Sequence, residues 1–80
     1  MESHKLVKMA NEIAAFFEAD PDHAAMLDGI AGHLRRFWEP RMRRALLAHF
    51  QAGGEGLRPS VVETLTAHGA SLEPAAEAPR

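Results

Sequence analysis

Leu6, Met9, Ala10, Ile13, Phe16 and Phe17 recur at steps of three and four, with Lys5, Lys8, Glu12 and Glu18 falling mainly between them. This period predicts an amphipathic helix of about four turns over residues 4–18. Ser3 offers a hydroxyl to cap its start. Lys8 and Glu12 are four apart and can pair, for ~0.3 kcal/mol or less in this order. Asn11 sits in the same stretch, either as a solvated position or as a helix–helix hydrogen bond.

The second apolar series is Leu27, Ile30, Ala31, Leu34 and then Phe37 or Trp38, predicting a helix over residues 21–37. Asp20 suits its N-cap, Pro21 its first position, and Asp22 complements the dipole. Gly29 and Gly32 flank the stripe, each costing ~1 kcal/mol against alanine in a helix interior. They mark either close approach of another backbone or loose packing. Pro40 fixes φ and pushes Glu39 out of the α region, so one helix ends near Phe37 or Trp38 and the next begins at Pro40. A third helix over residues 40–52 carries Met42, Ala45, Leu46, His49 and Phe50 inside, with Arg41, Arg44 and Gln51 outside. Gly53-Gly54-Glu55-Gly56 stops it. Pro59 opens a fourth helix, residues 59–68, with Val61, Val62 and Leu65 on its apolar face, ending at Gly69.

The expected fold is therefore all-α, a small bundle of three to four short helices over residues 1–69, followed by a disordered tail at residues 70–80. The tail has two prolines and few large apolar groups. There is no internal repeat, no alternating strand pattern and no sustained heptad run.

Eighty residues form one domain at most, and a chain this short buries roughly 60–65% of its extended surface. With no cysteine there is no disulfide or thiolate metal site to staple it. The isolated chain is expected to be weakly stable, melting below ~65 °C, and to gain order from a partner. No signal-peptide core and no apolar run of membrane-spanning length is present, so a soluble, cytoplasmic protein is expected.

The net charge of −2 is unevenly spread. From His33 to Arg44 five arginines and one glutamate give +4, leaving −6 on the rest. A mildly acidic chain with one basic belt is unlike most nucleic-acid binders. The belt, Arg35, Arg36, Arg41, Arg43 and Arg44 around Phe37, Trp38 and Pro40, is the candidate partner interface, because tryptophan and arginine carry binding energy at interfaces. A solvated charged face with an ordinary core tryptophan is the plainer reading. Trp38 at the corner can pack on both helices or project as an anchor.

Catalytic and metal chemistry find little support. His4, His23, His33, His49 and His68 are not spaced as a helical ligand pair. The glycine run follows a helix and lacks the lysine and hydroxyl of a phosphate loop. No nucleophile elbow occurs. The chain is expected to be non-enzymatic, without catalytic, metal or cofactor-binding residues.

Three segments, Lys5 to Phe17, Gly29 to Arg43 and Ala52 to Pro59, resemble the delta subunit of NAD-dependent, molybdenum- or tungsten-containing formate dehydrogenases. The similarity spans about residues 5–65, and Phe37-Trp38-Glu39-Pro40-Arg41-Met42 is its most specific part. The resemblance implies a cytoplasmic complex that oxidises formate to carbon dioxide and reduces NAD. Its alpha subunit would carry molybdopterin and iron–sulfur clusters, and its beta and gamma subunits FMN, further clusters and the NAD site. The delta subunit would carry no cofactor and would stabilise or help assemble alpha. A maturation chaperone for cofactor insertion is the alternative, and a small helical nucleic-acid-binding regulator a more distant one.

Overall fold

Periodic apolar stripes, prolines at helix starts and a glycine stop produce four α-helices among the described residues: α1 Ser3–Phe17, α2 His23–Phe37, α3 Pro40–Gln51 and α4 Pro59–Leu72. The structure is a computed structural model that describes residues 2–74, and it contains no strand among them. The all-α expectation holds. The foreseen tail divides at this boundary: residues 70–72 are helical, and residues 75–80 lie outside the described residues.

The helix ends differ from expectation in three places. Glu2, not Ser3, is the N-cap of α1, and Ser3 is already helical. Asp22, not Asp20, caps α2: its Oδ1 accepts from the Ala25 amide at 3.1 Å, while Asp20 Oδ1 accepts from the Asp22 amide at 2.9 Å. The two carboxylates thus share the orphan amides, and Pro21 stays outside the helix. The third difference is that α4 runs through Gly69 to Leu72. Leu72 is fully buried, and burying a leucine is worth ~2 kcal/mol, which outweighs the ~1 kcal/mol that Gly69 costs.

One core joins all four helices. Leu6, Ala10 and Ala14 come from α1, and Met26, Ile30 and Leu34 from α2. Trp38, together with Leu46 and Leu47 of α3 and Val61, Leu65 and Leu72 of α4, completes it. Helices α2 and α4 pack most closely, and α1 touches the other three. Thr64 is buried without penalty because its hydroxyl donates to the Ser60 carbonyl at 2.8 Å. His23–Glu63 at 3.2 Å and His68–Asp28 at 3.3 Å lace the exposed margins of the α2–α4 pair.

The two helix glycines behave differently. A Cβ on Gly29 would fall 2.5 Å from Phe17 Cδ1, so the close approach there is by an aromatic ring rather than a backbone. A Cβ on Gly32 would meet nothing within 4 Å. Gly32→Ala is therefore expected to stabilise the chain by up to ~1 kcal/mol, raising Tm by about 4–8 °C. Gly29→Ala should show no such gain, because displacing the ring offsets the helix preference. Thermal melts of the two variants check this, and equal shifts would contradict it.

The stop after α3 is a two-bond cap. The Gly54 amide donates to the His49 carbonyl at 2.9 Å and the Gly53 amide to the Phe50 carbonyl at 3.1 Å. Gly53, at φ 127°, and Gly54, at φ 67°, take backbone angles that other residues resist. The chain then folds back across α1.

Candidate partner interface

The corner between α2 and α3 is built by Pro40. It occupies the first position of α3 and holds Glu39 extended at ψ 153°. Trp38 ends α2, donating its amide to the Leu34 carbonyl at 3.0 Å while its own backbone is already extended. The indole turns inward and is only 5% exposed. Of the two roles open to Trp38, the structure places its ring in the core of this chain. Phe37 turns the other way and is 68% exposed.

The arginines divide into two groups. Arg35 donates to the Ser71 hydroxyl of α4 at 2.9 Å. Arg43 reaches back from α3 and donates to the Arg35 carbonyl at 2.9 Å, satisfying one of the orphan acceptors at the C-terminus of α2, where a cation also suits the dipole. Its Nε is buried and has no partner among the described residues. Arg44 is engaged as well. Arg36 and Arg41 are exposed, and among the described residues nothing pairs with them. The belt is thus partly internal bracing, and Pro40 contributes geometry.

Residues far from the belt in sequence join Phe37. Phe16, at the end of α1, is 75% exposed instead of lying on the buried stripe. Phe16 packs edge-on to Phe17 with ring centres 5.1 Å apart, and Phe17 meets His33 at 6.4 Å. His33 in turn lies 4.8 Å from Phe37. Next to this row is a groove of about 560 Å³ whose lining includes Met9, Ile13, Trp38 and Met42. His33 Nδ1 is buried in the wall and has no partner among the described residues. The sequence places Phe16 and Phe37 on helical stripes, and nothing local marks them as uncovered.

A second set of contacts fixes the loop after α3. The side-chain amide of Asn11 donates to the Gly56 carbonyl and accepts from the Arg58 amide, both at 2.9 Å. Two turns along α1, the Glu18 carboxylate receives the Arg58 guanidinium on both oxygens, at 2.6 and 2.9 Å, and also the Ser60 hydroxyl. Asn11 and Glu18 are seven apart, hence on one face of α1, which is the only sequence signal for the arrangement.

The Arg58 hydrogen bonds, helped by Ser60, hold the Glu18 carboxyl down to about 2. The same pairing raises Arg58. A depressed carboxylate stabilises the fold above its unfolded value of 4.5 and loses that contribution as pH falls toward 2. Wild type should therefore exceed Glu18→Gln in stability at neutral pH, with the difference closing between pH 4.5 and 2. Denaturation of both proteins across that range measures it. A difference independent of pH would refute the assignment.

Among the described residues no cluster of three or more histidines and carboxylates is placed to hold a metal ion, and no helix is long and apolar enough to cross a membrane. No curated protein and no solved structure matches the chain. A family model does: NADH-dependent formate dehydrogenase delta subunit, FdsD, matches residues 5–65.

Proposed function

Because this chain belongs to the NADH-dependent formate dehydrogenase delta subunit family, we propose that it is a non-catalytic small subunit that stabilises or helps assemble the catalytic alpha subunit. The observation that carries this reading is that Phe16 and Phe37 stand exposed on one groove, and that Arg36, without a partner among the described residues, shares a neighbouring cleft with Phe37. A small monomer with no partner has little reason to keep two phenyl rings and a guanidinium together in solvent. Of the eight belt residues, Arg36, Phe37 and Arg41 would meet the partner directly. Arg35, Trp38, Pro40, Arg43 and Arg44 would support it by holding the corner.

The complex would comprise alpha, beta and gamma subunits in the cytoplasm, with molybdopterin, iron–sulfur clusters, FMN and NAD all carried by those subunits. This chain has no cysteine to offer a cluster. Purifying active formate dehydrogenase and quantifying each subunit tests the proposal. Equimolar presence of this chain in the active enzyme is the expected result. Its presence only on cofactor-free alpha would make it a maturation factor, and its absence from both would refute the reading.

A further inference from the structure

Four aromatic side chains, Phe16, Phe17, Phe37 and Trp38, and two thioethers, Met9 and Met42, line one groove of about 560 Å³. The lining holds a single carboxylate, Glu12, and neither lysine nor arginine. Glu12 is exposed and makes no ion pair among the described residues, even with Lys8 one turn earlier on α1. His33 is the other titratable group of the wall, and its Nδ1 is buried. Arg36 belongs to a neighbouring cleft that Asp28 also lines, so it does not reverse the sign of this one. With His33 neutral, the groove is an aromatic trough carrying one negative charge.

Helical and extended segments both dock in aromatic-lined grooves, so the side chains decide what fits. A carboxylate would meet like charge at Glu12 and the negative faces of the rings. A wholly aliphatic insert would take water from Glu12 and give it no partner. Arginine answers each part of the lining. Its methylene stem packs on apolar side chains, and its guanidinium plane stacks on ring faces. Its fork also binds both oxygens of a carboxylate. Lysine supplies the stem and the charge, but its strongly hydrated point charge lacks the planar fork. A second copy of this chain, set face to face by a two-fold axis, would bring two Glu12 carboxylates to one seam with no cation in either lining. We propose that the groove receives an arginine, flanked by apolar residues, from a partner protein. Glu12 binds the guanidinium, and the exposed Phe16 and Phe37 rings cover it. This rests on the reading of the chain as one part of a larger assembly, and it specifies what the partner must offer.

Short fluorescein-labelled peptides with one variable residue between leucines, titrated into the purified full chain and followed by anisotropy, test the selection. The arginine peptide should bind at least about tenfold more tightly than the glutamate peptide, with the lysine peptide between them. Glu12→Gln alters an exposed position, so helicity should persist while that preference falls at least about fivefold. Glu63→Gln removes the same charge from the α4 margin and should leave the preference unchanged, which separates contact from net charge. Phe37→Ser should weaken the arginine peptide at least about tenfold. Equal binding of the arginine and glutamate peptides, equal effects of the two glutamine variants, or no binding by a folded chain would each overturn the proposal. So would a dimer, seen by sedimentation, that Phe37→Ser abolishes.

A second measurement uses the assembled enzyme, with a photo-crosslinking benzoylphenylalanine in place of the exposed Phe16. Crosslinking to an arginine-bearing, apolar segment of another subunit is expected. Changing that arginine to glutamate should deplete this chain from the complex, and Glu12→Arg should restore it. If the chain stays in the complex but crosslinks to a segment without arginine, or the charge exchange restores nothing, the groove assignment fails while the subunit reading stands. If the arginine peptide binds the chain but the chain does not co-purify with the enzyme, the subunit reading fails and the groove assignment stands.

Discussion

Trp38→Ala should destabilise the chain by ~3–5 kcal/mol, the largest loss expected from any single truncation here. The ring is 5% exposed and belongs to the core that links α2 and α3 to the rest. A chain of 80 residues has about 4–12 kcal/mol of stability in total, at 0.05–0.15 kcal/mol per residue. The variant should therefore be largely unfolded or melt well below wild type, and circular dichroism against urea and temperature reads this directly. Trp38→Phe, which keeps most of the apolar volume, should recover much of the loss. An unchanged melting curve for Trp38→Ala would show that the ring does not hold the corner. Assembly would also fail in this variant, but as a consequence of unfolding, so Phe37 is the informative position for the interface and Trp38 is not.

Asn11→Ala should cost ~1–3 kcal/mol, because it removes two side-chain–backbone hydrogen bonds together, one to the Gly56 carbonyl and one from the Arg58 amide. The two bonds also fix the side-chain orientation: a flipped amide would set donor against donor. Asn11→Asp keeps the acceptor for the Arg58 amide and loses the donor to Gly56, so it should fall between wild type and alanine. Denaturant titration orders the three proteins. A neutral alanine variant would mean that water replaces both bonds without loss.

The four helices were legible because their signals are local: apolar residues at three- and four-residue steps, Pro40 and Pro59 at first positions, glycines after α3. The site was less legible. Phe37 and Trp38 are adjacent, and which of them turns inward depends on Trp38 leaving helical geometry just before Pro40. Phe16 matches the α1 stripe in period, yet the helix ends one residue later with nothing packed over it. The arginine belt reads as one feature in sequence, but two of its members are used inside the fold, on Ser71 and on the Arg35 carbonyl. Those partners become visible only when α2, α3 and α4 are placed in space. Gly69 looked like a stop because the benefit of burying Leu72 lies in tertiary packing.

The corner at Pro40 also has a bearing on which changes of length the chain can absorb. Each residue added to a helix advances its angular phase by about 100°. Phe37 and Trp38 point to opposite destinations one step apart, so a single insertion in the last turn of α2 would send a different side chain to each. The buried socket would lose its indole and the outer face its phenyl ring in one event, although both aromatic residues would still be present. Insertions between Gly53 and Gly56 turn no helix face; they disturb the Asn11 contacts to Gly56 and Arg58, at ~1–3 kcal/mol, less of a loss than emptying the Trp38 socket. Drift in chain length should therefore collect after α3, while the count of residues from Leu34 to Pro40 stays fixed like the pitch of a thread.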